Sequence, residues 1–350
     1  MATLATEDLV DLGITTLKQL GRGKWSDIST TLQKFVAMPQ MMKKNKVVFD
    51  DGKSIQWNIQ TGTSSAAKAI GMFNVDNYLV TDTMTTAEVN WRHYTTNYEI
   101  ARQEVTMNGG ASKIVDLYKT RRHAALVAQA RLFEEHFWSK PADSTDKLKL
   151  YGIFYWLVYS ATTGFNGGNP AGFSAGAGGL STLTVPNWAN WTDQYVNVTK
   201  PDLIAKIRLA LYKTNWISPV DYPANMRDMD MALYTNYNVM NVFETLAENQ
   251  NENLGPDIAK YDGMVVIKRH PIMAVPQLDT GTPATANPVI GIDWGAFQIA
   301  FLRGEYMNES KPRIVPNMHT VTVVDIDNTL NTYCSNRRSQ FLIAKSDPAA

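Results

Sequence analysis

Two pairs of aspartates are spaced so that the members of each pair could act together. Asp228 and Asp230 form one pair, and Asp325 and Asp327 form the other, with one residue between partners. Residues two apart in a β-strand point to the same face, so either pair could hold a cation or work as acid and base. The same spacing also fits a solvated strand edge, which is the interpretation we favour for both pairs.

A glycine-rich segment and three aromatic residues are the other candidate ligand sites. Residues 164–179 have neither the G-x-G-x-x-G spacing of a dinucleotide site nor the G-K-[ST] end of a phosphate-binding loop. We therefore expect a loop that is ordered by contacts with protein. Trp188, Trp191 and Tyr195 could stack on a sugar or a base, but aromatic residues in such an insertion more often make protein contacts.

The familiar catalytic and metal-binding motifs do not occur in the sequence. It has no H-E-x-x-H, C-x-x-C or G-x-S-x-G motif. Its histidines are scattered over different predicted elements: His93, His123, His136, His270 and His319. We predict that the protein is not an enzyme and has no catalytic, cofactor-binding or metal-binding residues.

The charge balance argues against a dedicated nucleic-acid-binding protein. The 350 residues include 33 basic and 33 acidic side chains, whereas affinity for phosphates depends on clustered lysine and arginine. A neutral chain with 9 Trp and 15 Tyr is better suited to burying surface against copies of itself. The sequence begins without a secretory signal and has no apolar run of membrane-spanning length. Its single cysteine, Cys334, fits a reducing cytoplasm.

The first hundred residues predict two short helices followed by strands. The helices are expected over residues 4–20 and from Ser26 to just before Pro39. Strands at residues 46–49 and 54–59 flank a tight-turn signal and predict a hairpin, and residues 85–94 form a returning strand. A two-stranded ribbon is marginal by itself, so we expect this excursion to rest on a neighbouring copy of the chain.

The longest predicted helix runs from Ser112 to about Ser139. Apolar residues at three- and four-residue spacing form one stripe along it: Val115, Tyr118, Leu126, Ala130, Phe133 and Phe137. The other face, which includes Glu134, is expected to be solvated or to form an interface.

The remaining elements predict an α+β protein with separate subdomains. An aromatic run at residues 151–159 precedes the glycine-rich segment. One helix is expected to start at Pro201 with Thr199 as its N-cap, and another covers residues 238–248. The predicted strands of this part are residues 231–234, 264–268, 289–292, 298–302, 319–325 and 340–344.

The order of these elements resembles that of the major capsid proteins of tailed bacteriophages, which share the Hong Kong 97-like fold. The resemblance covers essentially the whole chain, from a helical arm and a long β excursion to a spine helix, a mixed subdomain and closing strands. The segments that carry it are GIFYWL (residues 152–157), GFNGGNP (164–170), GIDW (291–294) and NRRSQFL (336–342).

The resemblance implies a division of the chain into the parts of that capsid fold. Residues 1–45 would form the N-terminal arm and residues 46–98 the extended E-loop. Residues 99–200 would form the P-domain with the spine helix and the glycine-rich insertion. Residues 201–310 would form the A-domain, and residues 311–350 would be strands that return to the P-domain.

It also implies a structural function. Copies of the chain would form the hexamers and pentamers of an icosahedral phage head, assembled in the host cytoplasm around double-stranded DNA that they contact weakly and without sequence preference. The implied partners are a scaffolding protein and a portal protein but no membrane, and a decoration protein is left open. Residues expected at contacts between subunits are Trp57, Lys68, Phe73, Trp91, Arg92, Arg121, Arg122, Trp188 and Trp191.

Two features depart from the family pattern. Many members carry a helical scaffolding segment ahead of the arm, and this sequence starts without one, so we expect the scaffolding protein to be separate. The type phage also joins an E-loop lysine to a neighbour's asparagine. Lys68 lies near the loop tip, but no sequence feature identifies a partner asparagine or an assisting carboxylate. We therefore do not expect this cross-link.

Two other functions fit parts of the sequence. A cellular cargo compartment of the same fold would have a compact loop in place of residues 46–98 and a pocket for cargo peptides. A carbohydrate-binding protein or hydrolytic enzyme would depend on Trp188, Trp191 and the aspartate pairs.

Overall fold

The computed structural model describes residues 34–39, 46–64, 67–71, 82–108, 111–215, 230–251, 265–280 and 287–346. The helix predicted over residues 4–20 and most of the second predicted helix lie outside these ranges, as do the candidate residues Phe73 and Asp228.

The described elements alternate irregularly between strand and helix. The strands are β1 (Lys46–Phe49), β2 (Ser54–Gln60), β3 (Met84–Asn90), β4 (Arg92–Ala101), β5 (Gly164–Gly167), β6 (Asn190–Tyr195), β7 (Met231–Thr235), β8 (Val266–Ile267), β9 (His270–Ala274), β10 (Val289–Asp293), β11 (Phe297–Leu302), β12 (Asn308–Glu309), β13 (Arg313–Val315), β14 (Met318–Cys334) and β15 (Phe341–Lys345). The helices are α1 (Arg102–Asn108), α2 (Ala111–Phe137), α3 (Ile153–Trp156), α4 (Ala205–Thr214), α5 (Tyr237–Asn251) and α6 (Gln277–Thr280).

Sheet A is organised around β14, which has 17 residues and is much longer than the strand predicted at residues 319–325. Strands β4, β11, β12 and β13 all pair antiparallel to it. Strand β1 extends the sheet by pairing parallel to β11. A single strand with partners on both sides thus holds together segments that are far apart in the sequence.

Sheet B has the strand order β5-β6-β15-β10-β7-β9-β8 and lies between two hydrophobic cores. On β10, Ile290 packs into the core shared with α3, whereas Val289 packs into the core shared with α4 and α5. Burial of both faces explains why these strands read as continuous apolar runs. The packing is tight: a Cβ added to Gly291 would lie 2.2 Å from the Phe341 ring, so this position requires glycine.

The strands of the predicted hairpin exist, but their pairing was predicted wrongly. Strand β1 lies beside β11, with Phe49 opposite Leu302, and does not pair with β2. Strand β2 instead pairs along its whole length with β3, from Ser54 opposite Asn90 to Gln60 opposite Met84. The turn at residues 50–52 therefore connects β1 in sheet A to β2, which forms a separate two-stranded ribbon with β3.

Helix α2 matches the longest predicted helix, and its buried face is centred on Phe133 and Phe137, both fully buried. Two assignments on this helix were wrong. Tyr118 is 36% exposed, although it belongs to the predicted apolar stripe. Glu134 is fully buried, although it was expected on the solvated face. Its carboxylate binds backbone amides from a distant segment, which is a tertiary contact that helical spacing does not encode.

Helix α4 is confirmed with a different start. A π-helical turn, Lys200–Ile204, precedes it, and Thr199 makes no side-chain capping bond. The Asp202 carboxylate accepts hydrogen bonds from the backbone amides of Val196 and Asn197 instead, at 2.8 and 2.9 Å. The strands β5, β6, β9, β12 and β13 and the helices α1, α3 and α6 were not predicted from the sequence.

Candidate functional site

The β2–β3 ribbon packs on the chain's own core at its base. Ile55 and Val89 face each other across the ribbon and are 0% and 2% exposed. On the same face, the Trp57 ring lies 6.0 Å from Trp156 and 5.3 Å from Tyr333. The expectation that the ribbon rests only on a neighbour was therefore wrong for this half of it.

The distal part of the ribbon leaves the core. The Thr61 amide donates to the Thr83 carbonyl at 2.9 Å and extends the ladder one step beyond β2 and β3. Residues 67–71, which include the candidate Lys68, are all exposed. The candidate Phe73 lies outside the described residues.

Trp91 and Trp57 lie at the junction of the ribbon with sheet A. The Trp91 indole donates to the Gly52 carbonyl at 2.9 Å and contacts the edge of Phe49 at 6.0 Å. Trp57 is half-buried, and its indole N–H has no hydrogen-bond partner in the part of the chain that the structure describes. Both side chains therefore fix the ribbon to the body of the chain.

Three basic candidates are engaged within the chain. Arg92 is 4% exposed and donates to the carbonyls of Lys149 and Asp146 at 2.9 and 3.0 Å. Arg121 forms an ion pair of 2.7 Å with Glu104. Arg122 is half-exposed and donates through Nε to Glu309 at 2.8 Å, which ties α2 to β12.

Trp188 and Trp191 are buried, at 3% and 6% exposure, and Tyr195 is fully buried. The Trp188 indole donates to the Ala177 carbonyl, and the Tyr195 hydroxyl donates to the Asn287 carbonyl, both at 2.8 Å. These rings leave no face for a sugar, a base or a neighbouring subunit. We therefore withdraw Trp188, Trp191 and the buried Arg92 from the contact candidates.

The glycine-rich segment is ordered by contacts with the rest of the chain, as the sequence predicts. Its Gly178 amide donates to the Tyr155 hydroxyl at 2.9 Å, and its Gly178 carbonyl accepts from the Glu88 amide at 3.0 Å. The segment thus bridges the aromatic run and the base of the ribbon.

The aspartate pair on β14 is not at a strand edge, because β4 and β12 pair with β14 on its two sides. Asp325 forms an ion pair of 2.7 Å with Arg313, whose guanidinium takes the place that a bound metal ion would have. Of the other pair, only Asp230 lies within the described residues. Over the described ranges no cluster of three His, Cys, Asp or Glu side chains could hold a metal ion. No helix there is long and apolar enough to cross a membrane.

No pattern in the sequence indicated a functional role for Arg337, whose guanidinium is fully buried. It donates to the carbonyls of Trp156, Trp188 and Gly168 and to the side-chain oxygen of Asn190, at 2.7 to 3.3 Å. A basic residue in a closing segment is ordinarily solvent-exposed. Only the tertiary structure reveals this cation as a tie between distant loops.

Comparison with solved structures finds phage particles. The chain superposes on the capsid asymmetric unit of cyanophage A-1(L) with a TM-score of 0.64 and 14% identity, covering 95% of this chain and 99% of that one. The capsid of a native GTA particle gives 0.56 and 11%, with 94% and 96% covered. A structure of Gordonia phage Cozz gives 0.53 and 12%, with 95% and 91% covered.

No family model and no curated protein matches the sequence. At such low identities the likeness shows the fold alone. The structural match extends over nearly the whole length of this chain and of each capsid chain compared with it. The chain has the α+β fold of phage capsid proteins, as the order of its predicted elements implied.

Proposed function

We propose that this protein is the major capsid protein of a tailed phage, a structural subunit without catalytic chemistry. The observation that carries the proposal is the correspondence with a phage capsid chain over 95% of this chain and 99% of the other. Correspondence over nearly the whole of both chains supports a shell subunit with the same set of elements. Among the described residues, the burial of Trp188 and Trp191 and the ion pair of Asp325 with Arg313 count against the carbohydrate and enzyme alternatives.

In this proposal the copies form hexamers and pentamers, and the shell encloses double-stranded DNA. Residues 1–45 act as the arm, 46–98 as the E-loop, 99–200 as the P-domain, 201–310 as the A-domain and 311–350 as its closing strands. The exposed distal ribbon around Lys68 is the part best placed to reach a neighbour, because its base is already anchored by Ile55 and Val89. Arg122 at the α2 surface remains a second candidate for contact.

The proposed partners are a scaffolding protein and a portal protein. The equal numbers of basic and acidic residues support weak, non-specific contact with the packaged DNA. We propose that Lys68 forms no covalent cross-link to a neighbouring subunit. Mature particles boiled in detergent should then give a single band of monomer size on a denaturing gel.

A nuclease-protection experiment on particles purified from the natural source tests directly whether the shell encloses DNA. They are treated with nuclease before and after disruption, and the protected nucleic acid is measured. The proposal predicts double-stranded DNA that survives until disruption. Particles that protect protein cargo and no DNA would instead indicate a cellular cargo compartment, and would contradict the phage assignment.

A further inference from the structure

The Glu134 carboxylate joins α2 to residues 36–38. Oε1 accepts hydrogen bonds from the backbone amides of Val36 and Ala37 and from the Trp138 indole, each at 2.9 Å. Oε2 accepts from the Met38 amide at 2.7 Å. Three consecutive amides that converge on one anion form the kind of concave site that binds phosphates and carboxylates in other proteins.

The position of this carboxylate is unfavourable without those amides. Glu134 lies in the last turn of α2, where the helix dipole disfavours a negative charge, and it is 0% exposed. A buried charge is costly unless hydrogen bonds replace the lost water. Among the described residues Glu134 has four donors: three belong to residues 36–38, and the fourth is Trp138, which directly follows α2. The charge and the docked segment therefore depend on each other.

Apolar packing accompanies the hydrogen bonds. Ala37 is fully buried and Val36 is 8% exposed, and both belong to the core that contains Phe133 and Phe137. Met38 packs against the same core. Residues 36–38 are thus an integral part of the body of the subunit, although the sequence places them within the predicted N-terminal arm.

We propose that Glu134 is a positioning residue that fixes the root of the arm, residues 36–38, to the end of the spine helix α2. The anchor holds residues 36–38 at one place on the body of the subunit. The anchor itself is independent of shell formation. Its use, which is to present the arm to neighbouring subunits in a reproducible way, rests on the proposed capsid function.

Hydrogen exchange measured by mass spectrometry on the full-length chain tests the anchor. Glu134→Gln keeps the size of the side chain but replaces one acceptor oxygen with an NH₂ group that faces amide donors. We expect exchange in peptides covering residues 34–39 to accelerate about tenfold or more, which corresponds to about 1.4 kcal/mol of lost local stability. Peptides of sheet B should keep their exchange rates.

The matched control is Glu135→Gln, because Glu135 is the adjacent residue but is exposed and forms an ion pair of 2.7 Å with Arg131. In Glu135→Gln, peptides covering residues 34–39 should exchange at the same rate as in the unaltered chain. If Glu134→Gln does not fold, Trp138→Phe removes one donor to the same oxygen and should accelerate the same peptides by a smaller factor. Unchanged exchange at residues 34–39 in a folded variant of either kind would overturn the proposal.

Electron microscopy of the same samples separates the two proposals. An unaltered chain that never forms shells would refute the capsid function, while the exchange rates would still decide whether Glu134 anchors residues 36–38. Shells from the unaltered chain together with unchanged exchange in Glu134→Gln would leave the capsid function intact and refute the anchor.

Discussion

Arg337 donates from Nε to the backbone carbonyl of Trp156, 181 residues earlier in the chain, over 2.7 Å. Its other nitrogens reach the carbonyls of Trp188 and Gly168. Burial lowers the pKa of Arg337 to about 10, so the side chain stays charged at neutral pH. One cation therefore holds the aromatic run, the glycine-rich segment and the closing strands together.

Replacing this cation should destabilise the fold strongly. Arg337→Met leaves several buried carbonyls without donors, and we expect a loss of about 3–5 kcal/mol in the free energy of unfolding. Denaturant titration followed by tryptophan fluorescence measures the change. Arg338→Met is the matched control, because Arg338 binds Asn187 at the surface, and it should cost less than about 1 kcal/mol. Equal effects of the two substitutions would contradict the structural role of Arg337.

Truncation of Phe133 should open a cavity under α2. The ring is fully buried and contacts Tyr94 edge-on at 5.0 Å. We expect Phe133→Ala to cost about 3–5 kcal/mol, as truncations of buried phenylalanine do. Tyr118→Ala on the same helix should cost less than about 1 kcal/mol, because Tyr118 is 36% exposed. A small effect of Phe133→Ala would mean that α2 packs through another face.

His136 should make stability fall in mild acid. Its Nδ1 lies 2.8 Å from the Tyr94 hydroxyl, which accepts from the Leu150 amide at 2.8 Å and so can donate to the ring. Burial lowers the pKa of His136 below its ordinary value. The unfolded chain then binds more protons than the folded chain as the pH falls through about 6.5, and stability is lost.

Chemical denaturation at about pH 7.5 and about pH 5.5 checks this prediction. The free energy of unfolding should be lower at the acidic pH, and His136→Gln should reduce the difference. The same pH dependence in both proteins would show that other groups are responsible.

Shortening the ribbon should separate folding from assembly. We expect deletion of residues 62–82, with a short glycine turn joining Thr61 to Thr83, to keep the ladder and the buried Ile55 and Val89. The variant should fold with nearly unchanged circular dichroism but should not form stable shells, because the removed residues are proposed to contact neighbours. Normal particles from this variant would refute the E-loop assignment.

The sequence predicted the types of most long elements but not all of their partners. Periodicity predicts strands at residues 46–49 and 54–59, because apolar alternation is a local property of the sequence. It does not reveal that β1 lies beside β11, about 250 residues later, since that pairing depends on how distant segments meet. The turn signal at residues 50–52 was genuine, but it joins two different sheets.

The placement of the candidate residues likewise depends on contacts between distant segments, which the local sequence does not reveal. Trp188 and Trp191 were predicted as contact residues from their type and their glycine-rich surroundings, yet both rings lie inside the chain: Trp188 ends a short 3₁₀ turn, Pro186–Trp188, and Trp191 lies on β6. Glu134 and Arg337 were missed because a buried charge is recognisable only from its donors and acceptors. Residues 36–38 and the carbonyl of Trp156 supply these from far away in the sequence.

Negative-stain electron microscopy of the purified full-length chain, alone and after incubation with lysate from its natural source, tests the central claim most directly. The capsid account predicts closed icosahedral shells, or hexamers and pentamers, in at least one of the two samples. A monodisperse monomer in both would contradict self-assembly as the function of this protein.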